Sequence, residues 1–212
     1  MTELLYLNFI LPLIASFAGL IQHRPTSKMI SIIASFLLVI NNILILLNHN
    51  KETLVLADFM GNYQLALTIE PLAIFFALMV SILYFCTNLY SFAFLADQER
   101  SNLLGQDLHP KLHFFFTPIA IMASLNIGYS ANLMTLFIFY EILTLSTYPL
   151  VIQSFTDHAQ KSGRTYIGIL FGASAFFLPL ALIFMDYKYG GSSFVSGGTF
   201  TENHEIKDFL FL

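Results

Sequence analysis

The sequence predicts an all-α, polytopic membrane helix bundle of about six spanning helices with one short external β-hairpin. Three observations carry this. Of the 212 residues, 57% are hydrophobic and only 10% charged, whereas a soluble domain carries about 25% charged residues. The apolar residues fall in blocks near the ~20 residues that a helix needs to cross a bilayer. Between the second and third blocks the pattern changes to strict alternation, which is the period of a strand.

The first block runs from Leu4 to Ile21. It has no basic leader and is too long for the apolar core of a signal peptide, so it reads as a retained span. The second runs from Met29 to Leu47. Leu54 to Phe59 and the alternating Leu65, Leu67 and Ile69 then form two strands around the turn signal Met60-Gly61-Asn62. Pro71 follows Glu70 as a first-turn residue and opens a third helix to about Leu95. The fourth span covers His113 to Gly128, the fifth Leu133 to Ile152 and the sixth Thr165 to Met185. The link from Tyr129 to Asn132 is so short that the fourth and fifth helices must be antiparallel neighbours. Residues 1–185 thus form the membrane domain, and residues 186–212, rich in Gly and Ser, read as an external polar tail.

Orientation follows Lys and Arg alone. Arg24, Lys28, Arg100, Lys111, Lys161 and Arg164 lie on one side, against Lys51, Lys188 and Lys207 on the other. The first set is expected to be cytoplasmic, which leaves both termini external. Cys86 is the single cysteine. It has no intrachain partner and belongs to no metal or haem pattern, so it reads as a small apolar helix residue. No Walker loop, dinucleotide fingerprint, zinc spacing or Ser-His-Asp set is present. Nothing calls for a cofactor, a metal or nucleic acid, and the chain has no redox or hydrolytic site of its own.

Glu141 is the residue that asks for a function. It is the one charge between Asn132 and Ser154. A carboxylate at such depth costs ~2.5–3.5 kcal/mol even on lenient insertion scales, and such residues usually face a protein interior or a wet cavity on an ion or proton path. Thr144 and Tyr148 follow at i+3 and i+7, so a polar stripe crosses the fifth span. A purely structural alternative is a buried residue that binds helix to helix, although Ser, Thr, Asn or Gln does that at lower cost.

Arg164 and Lys161 stand at the mouth of the sixth span, either as snorkelling anchors or, for Arg164, as a cation that pairs with Glu141 and favours its ionised form. His109 and His113 are four residues apart across Pro110. Two ligands are too few for a metal. They are interfacial residues that could also assist proton entry. Ser124 and Asn126 are candidates to face the stripe or simply to pack. Pro118, Pro149 and Pro179 fall within spans, where each frees a backbone carbonyl that needs another partner.

The stretch Phe114 to Ala173 resembles the antiporter-like membrane subunits. This superfamily includes the large subunits of Mrp-type cation/proton antiporters and the proton-pumping membrane subunits of NADH-quinone oxidoreductase (complex I). The resemblance rests on Leu-Phe-Ile-Phe-Tyr-Glu-Ile-Leu-Thr-Leu-Ser-Thr-Tyr-Pro-Leu-Val at 136–151 and Gly-Arg-Thr-Tyr-Ile-Gly-Ile-Leu at 163–170, with Tyr-Gln-Leu-Ala-Leu-Thr-Ile-Glu-Pro-Leu at 63–72 as weaker support. The likeness is greatest to the D-type large component of the bacterial Mrp antiporters. It implies a multi-pass protein of the bacterial inner membrane with periplasmic termini, built on inverted repeats with a polar chain at mid-membrane. Glu141 matches the family's glutamate on the fifth helix, which pairs with a lysine on a neighbouring helix.

Two departures stand out. Where a lysine commonly precedes the tyrosine matching Tyr166, this chain has Thr165, with Arg164 one step earlier. One step turns a helix by about 100°. Family members are also far longer, with a second repeat, so the chain corresponds to the first part of the fold: a split or truncated product, or a remnant.

The expected function is therefore a membrane subunit of a multisubunit antiporter exchanging protons for sodium or another monovalent cation. Glu141 would be the proton site, Arg164 would tune it, and Thr144 and Tyr148 would line a hydrated route. The partners would be other membrane subunits. The rivals are a proton-pumping subunit of complex I, and a non-transporting scaffold or remnant.

Overall fold

The structure is a computed structural model that describes residues 2–20, 24–48, 52–59, 63–101, 110–152, 156–189 and 193–194. It is mostly helical, with α1 (Thr2–Gly19), α2 (Arg24–Leu47), β1 (Thr53–Phe59), β2 (Tyr63–Thr68), α3 (Pro71–Ser101), α4 (Pro110–Gly128), α5 (Leu133–Val151) and α6 (Asp157–Tyr189) in chain order. Four helices, α2, α3, α5 and α6, are long and apolar enough to cross a membrane, which marks a multi-pass membrane protein. The apolar stretches of α1 and α4 are shorter, Glu3–Gly19 and Leu112–Gly128.

Each helix packs on its chain neighbours, and α1 also lies against α4. At the α1–α4 crossing the two backbones nearly touch. A Cβ on Gly19 would stand 2.6 Å from the Phe114 carbonyl oxygen, and Ser16 donates to the Phe115 carbonyl at 2.8 Å. Close approach of this kind is how helices associate where no hydrophobic force separates protein from lipid. The buried centre gathers Leu5, Leu38, Ile45, Leu67, Ile74, Leu125, Tyr129 and Phe139. Large apolar side chains such as Phe75, Ile169 and Phe177 are exposed on the outer faces, as expected where the surroundings are hydrocarbon.

The hairpin forms as the alternation predicts. β1 and β2 pair antiparallel, with Leu54 opposite Leu67 and a register shift between Val55 and Ala57. The turn residues 60–62 lie outside the described residues. The hairpin also docks on the α4–α5 link. Thr68 donates its N–H to the Tyr129 carbonyl at 2.7 Å, and Ala131 donates to the Ala66 carbonyl at 2.9 Å. The link in turn binds the chain beyond α6, since Phe194 donates to the Ala131 carbonyl.

Three helices, α2, α3 and α6, extend five or more residues beyond their apolar blocks, because hydropathy marks the part of a helix that meets lipid and not the polar turns that project beyond it. α3 continues through Asp97, Glu99 and Arg100 to Ser101. α6 begins at Asp157, eight residues before the apolar block, and continues to Tyr189. The first turn of α6 is held by the Thr156 hydroxyl, which accepts from the Ala159 N–H at 3.2 Å. Lys28, placed by the sequence in a loop, is instead inside α2 and only 8% exposed.

Candidate functional site

The site is built on α5. Asn132 caps this helix in an extended conformation, and its side-chain oxygen accepts the Thr135 N–H at 2.7 Å. The Asn132 amide donates to the Gln64 carbonyl, also at 2.7 Å, so the hairpin and the start of α5 are one unit. From that anchored end Glu141 lies about 12 Å along the helix, at 1.5 Å per residue. Two residues earlier, on the far side of α5, Phe139 is buried against Phe9 of α1 with ring centroids 5.7 Å apart.

Both carboxylate oxygens of Glu141 are buried, and neither has a hydrogen-bond partner among the described residues. The predicted stripe lies beside it without bonding to it. Thr144 is buried, but its hydroxyl donates to the Tyr140 carbonyl at 3.0 Å. Tyr148 is half-buried near Gly163, where a Cβ would meet the Tyr148 ring at 3.3 Å and overlap the Ile152 methyl. Gly163 thereby sets the spacing of α5 and α6 at this end.

The Arg164 side chain is exposed and makes no hydrogen bond to the Glu141 carboxylate. The neighbouring Tyr166 points inward instead, with its hydroxyl 3.3 Å from that of Thr147 on α5. Arg164 and Tyr166 are two steps apart, a rotation of about 200°, so they lie on nearly opposite faces of α6. Lys161 is exposed as well. His113 is half-buried, with Nδ1 3.3 Å from the Thr117 hydroxyl and its ring edge-on to Phe114. His109 lies outside the described residues. Among the described residues no three His, Cys, Asp or Glu side chains gather as a metal site would need. Cys86 is free and exposed on α3. Pro118, Pro149 and Pro179 all lie inside helices.

Sequence reasoning missed the Thr147–Tyr166 contact and a set of buried amides in the first three helices: Asn8, Asn41, Asn42 and Asn88. A signal for the amides was present. Each interrupts an apolar block, and an amide in such a block needs partners.

A scan of protein-family models and a search of curated proteins match nothing. Among solved structures, the fold matches a chain in the structure of the membrane-bound sulfane sulfur reductase, described as an archaeal respiratory membrane complex. The TM-score is 0.70 at 16% identity, over 90% of this chain and 37% of that one. The chain therefore spans well under half the length of that neighbour. At this identity the likeness is one of fold alone.

Proposed function

We propose that this chain is a membrane subunit of an antiporter-like assembly that exchanges protons for a monovalent cation such as sodium, with Glu141 as the proton-carrying group. The observation that carries this reading is the Glu141 carboxylate, buried on a spanning helix with both oxygens unpartnered among the described residues. A structural glue residue would be bonded to a neighbouring helix. A proton carrier must be able to take up and release its proton, and permanent partners would oppose that. The fold shared with a chain of a multisubunit membrane complex supports the same reading.

In this proposal all six helices span the membrane of a bacterial cell, α1 and α4 with their shorter apolar stretches included. Thr144 and Tyr148 line a hydrated approach to Glu141. Lys161, His109 and His113 stand at its mouth. Arg164 acts on the carboxylate only through water or by changing its side-chain conformation. Other membrane subunits complete the path.

The test is proton flux in vesicles that contain the whole assembly. Glu141→Gln should abolish flux while the subunit is incorporated normally. Unchanged flux with intact assembly would leave the non-transporting scaffold as the better account.

One observation favours a second reading. The structural neighbour belongs to a respiratory complex, so the proton step could be driven by electron transfer in partner subunits, as in complex I. Flux that needs a reductant and ignores an imposed sodium gradient would select this reading. Flux driven by sodium alone would select antiport.

A further inference from the structure

The seam between α5 and α6 sets a carboxylate among hydroxyls that offer it no proton. Two contacts fix the geometry. The Thr147 and Tyr166 hydroxyls are 3.3 Å apart, and a Cβ on Gly163 would meet the Tyr148 ring and the Ile152 methyl. Residue numbers rise along α6 as they fall along α5, so the helices are antiparallel. At about 100° per residue, Glu141 and Thr144 fall within the arc of α5 that Thr147, Tyr148 and Ile152 span, on the side of α6. On α6, Leu170 and Ser174 follow Tyr166 at the four-residue spacing that keeps a helix face. Ser174 is only 7% exposed, and α5 is the helix that α6 packs on.

The levels agree as well. Counted from the Thr147–Tyr166 contact, Glu141 lies six residues back along α5, which corresponds to six residues onward along α6, at Gly172. Leu170 and Ser174 flank that level, each about 3 Å away along the axis. Gly172 itself is on the outer face, where a methyl would meet nothing within 4 Å.

A hydroxyl has one proton to donate and two lone pairs. Thr144 donates its proton to the Tyr140 carbonyl at 3.0 Å. Ser174 shares its proton between the Leu170 and Phe171 carbonyls, at 3.0 and 3.2 Å. Each therefore leaves only lone pairs for the seam. Both Glu141 oxygens are buried and accept no hydrogen bond among the described residues, and an ionised carboxylate is itself an acceptor only. The other titratable groups on the seam are the phenols of Tyr140, Tyr148 and Tyr166, while Lys161 and Arg164 are exposed and His113 of α4 is engaged with Thr117. Oxygens without donors destabilise an anion and favour a cation, and a buried charge persists only when it is paired or bound to a metal.

We propose that Glu141, Thr144 and Ser174 form a site for a monovalent cation of the sodium class, bound between α5 and α6. The ligand types select the ion. Oxygens suit hard cations and not the metals that seek thiolate or imidazole, and backbone carbonyls, which are neutral oxygens, coordinate sodium in transporters. One carboxylate balances one positive charge, whereas a divalent ion would leave net charge buried. The site rests on the antiport reading in taking Glu141 as the exchanging group. It adds the place where the second ion binds: the same carboxylate carries a proton or the cation in turn.

Carbodiimide labelling of Glu141 in the whole assembly, read by mass spectrometry, tests this. A carbodiimide couples to a buried carboxyl group that carries a proton, and a bound cation blocks it. Labelling in sodium chloride should be severalfold slower than in choline chloride at equal pH and ionic strength. Equal labelling in the two salts, whether fast or absent, would overturn the site. Ser174→Ala and Thr144→Val should each raise severalfold the sodium concentration that half-protects Glu141, relative to the same variant in choline. Unaltered protection in both variants would overturn the ligand set. If a variant fails to assemble, the wild-type comparison of salts still decides. Sodium protection together with flux that survives Glu141→Gln would keep the cation site and overturn the proton-carrier role. Flux lost in Glu141→Gln without sodium protection of the wild type would do the reverse.

Discussion

The hydroxyl of Tyr166 on α6 gives its proton to the hydroxyl oxygen of Thr147 on α5, across 3.3 Å. The direction follows from the bond that Thr147 already makes, donating to the Thr144 carbonyl at 2.9 Å. This contact joins the two helices nearly two turns along α5 from Glu141. Tyr166→Phe keeps the ring and removes the donor. Interhelical hydrogen bonds in membranes average about 0.6 kcal/mol, so unfolding in bicelles should show a loss of that order. Thr147→Val should cost a similar amount, and the double variant no more than either alone, since both remove the same bond.

Glu141 should behave oppositely in stability and in transport. Its buried oxygens have no described partner, so replacing it with an apolar residue of similar size relieves a desolvation penalty. Glu141→Leu should raise unfolding free energy by about 1–3 kcal/mol and eliminate proton flux. A destabilised Glu141→Leu would mean that the carboxylate is bonded within the fold and serves it structurally.

The hairpin should loosen when its ties to α5 are cut. Thr135 accepts the Ala66 N–H at 2.9 Å, so Thr135→Val leaves a buried donor unmet, at a cost of ~1–3 kcal/mol. Asn132→Ala removes the helix cap, worth about 1 kcal/mol, together with the bond to Gln64. Both variants should unfold at lower temperature and be cleaved faster by protease between β1 and β2. Unchanged cleavage would show that the hairpin is held from elsewhere.

Two glycine substitutions should separate a packed crossing from an open face. Gly19→Ala pushes a methyl into the Phe114 backbone, which cannot yield as a side-chain tip would, and overpacking of this kind costs ~1–3 kcal/mol. A methyl added at Gly168 on α6 would meet nothing within 4 Å. Gly168→Ala in detergent should therefore be neutral or slightly stabilising, because alanine favours the helix by ~1 kcal/mol. Equal loss in both would mean that α6 is covered at Gly168.

The elements themselves were legible in the sequence because the information is local. An apolar run of spanning length is a helix wherever it lies in the chain, and the alternation of Leu65, Leu67 and Ile69 is a strand whatever it pairs with. The isolation of Glu141 in its apolar run could also be read directly, and with it the location of a candidate site. The extra turns of α6 could not be read from hydropathy, since polar residues such as Asp157 and Lys161 look alike in a loop and in a helix beyond the membrane.

What the tertiary structure decided is which polar groups meet. Arg164 is turned outward and Tyr166 inward. Lys28 is buried on α2. Asn42 meets Tyr129 from 87 positions away, and Ser16 meets Phe115 from 99. The reason is physical. Composition sets the solvent that a segment prefers, whereas a hydrogen bond needs two groups within about 3 Å. Only the packing of helices distant in sequence sets such distances.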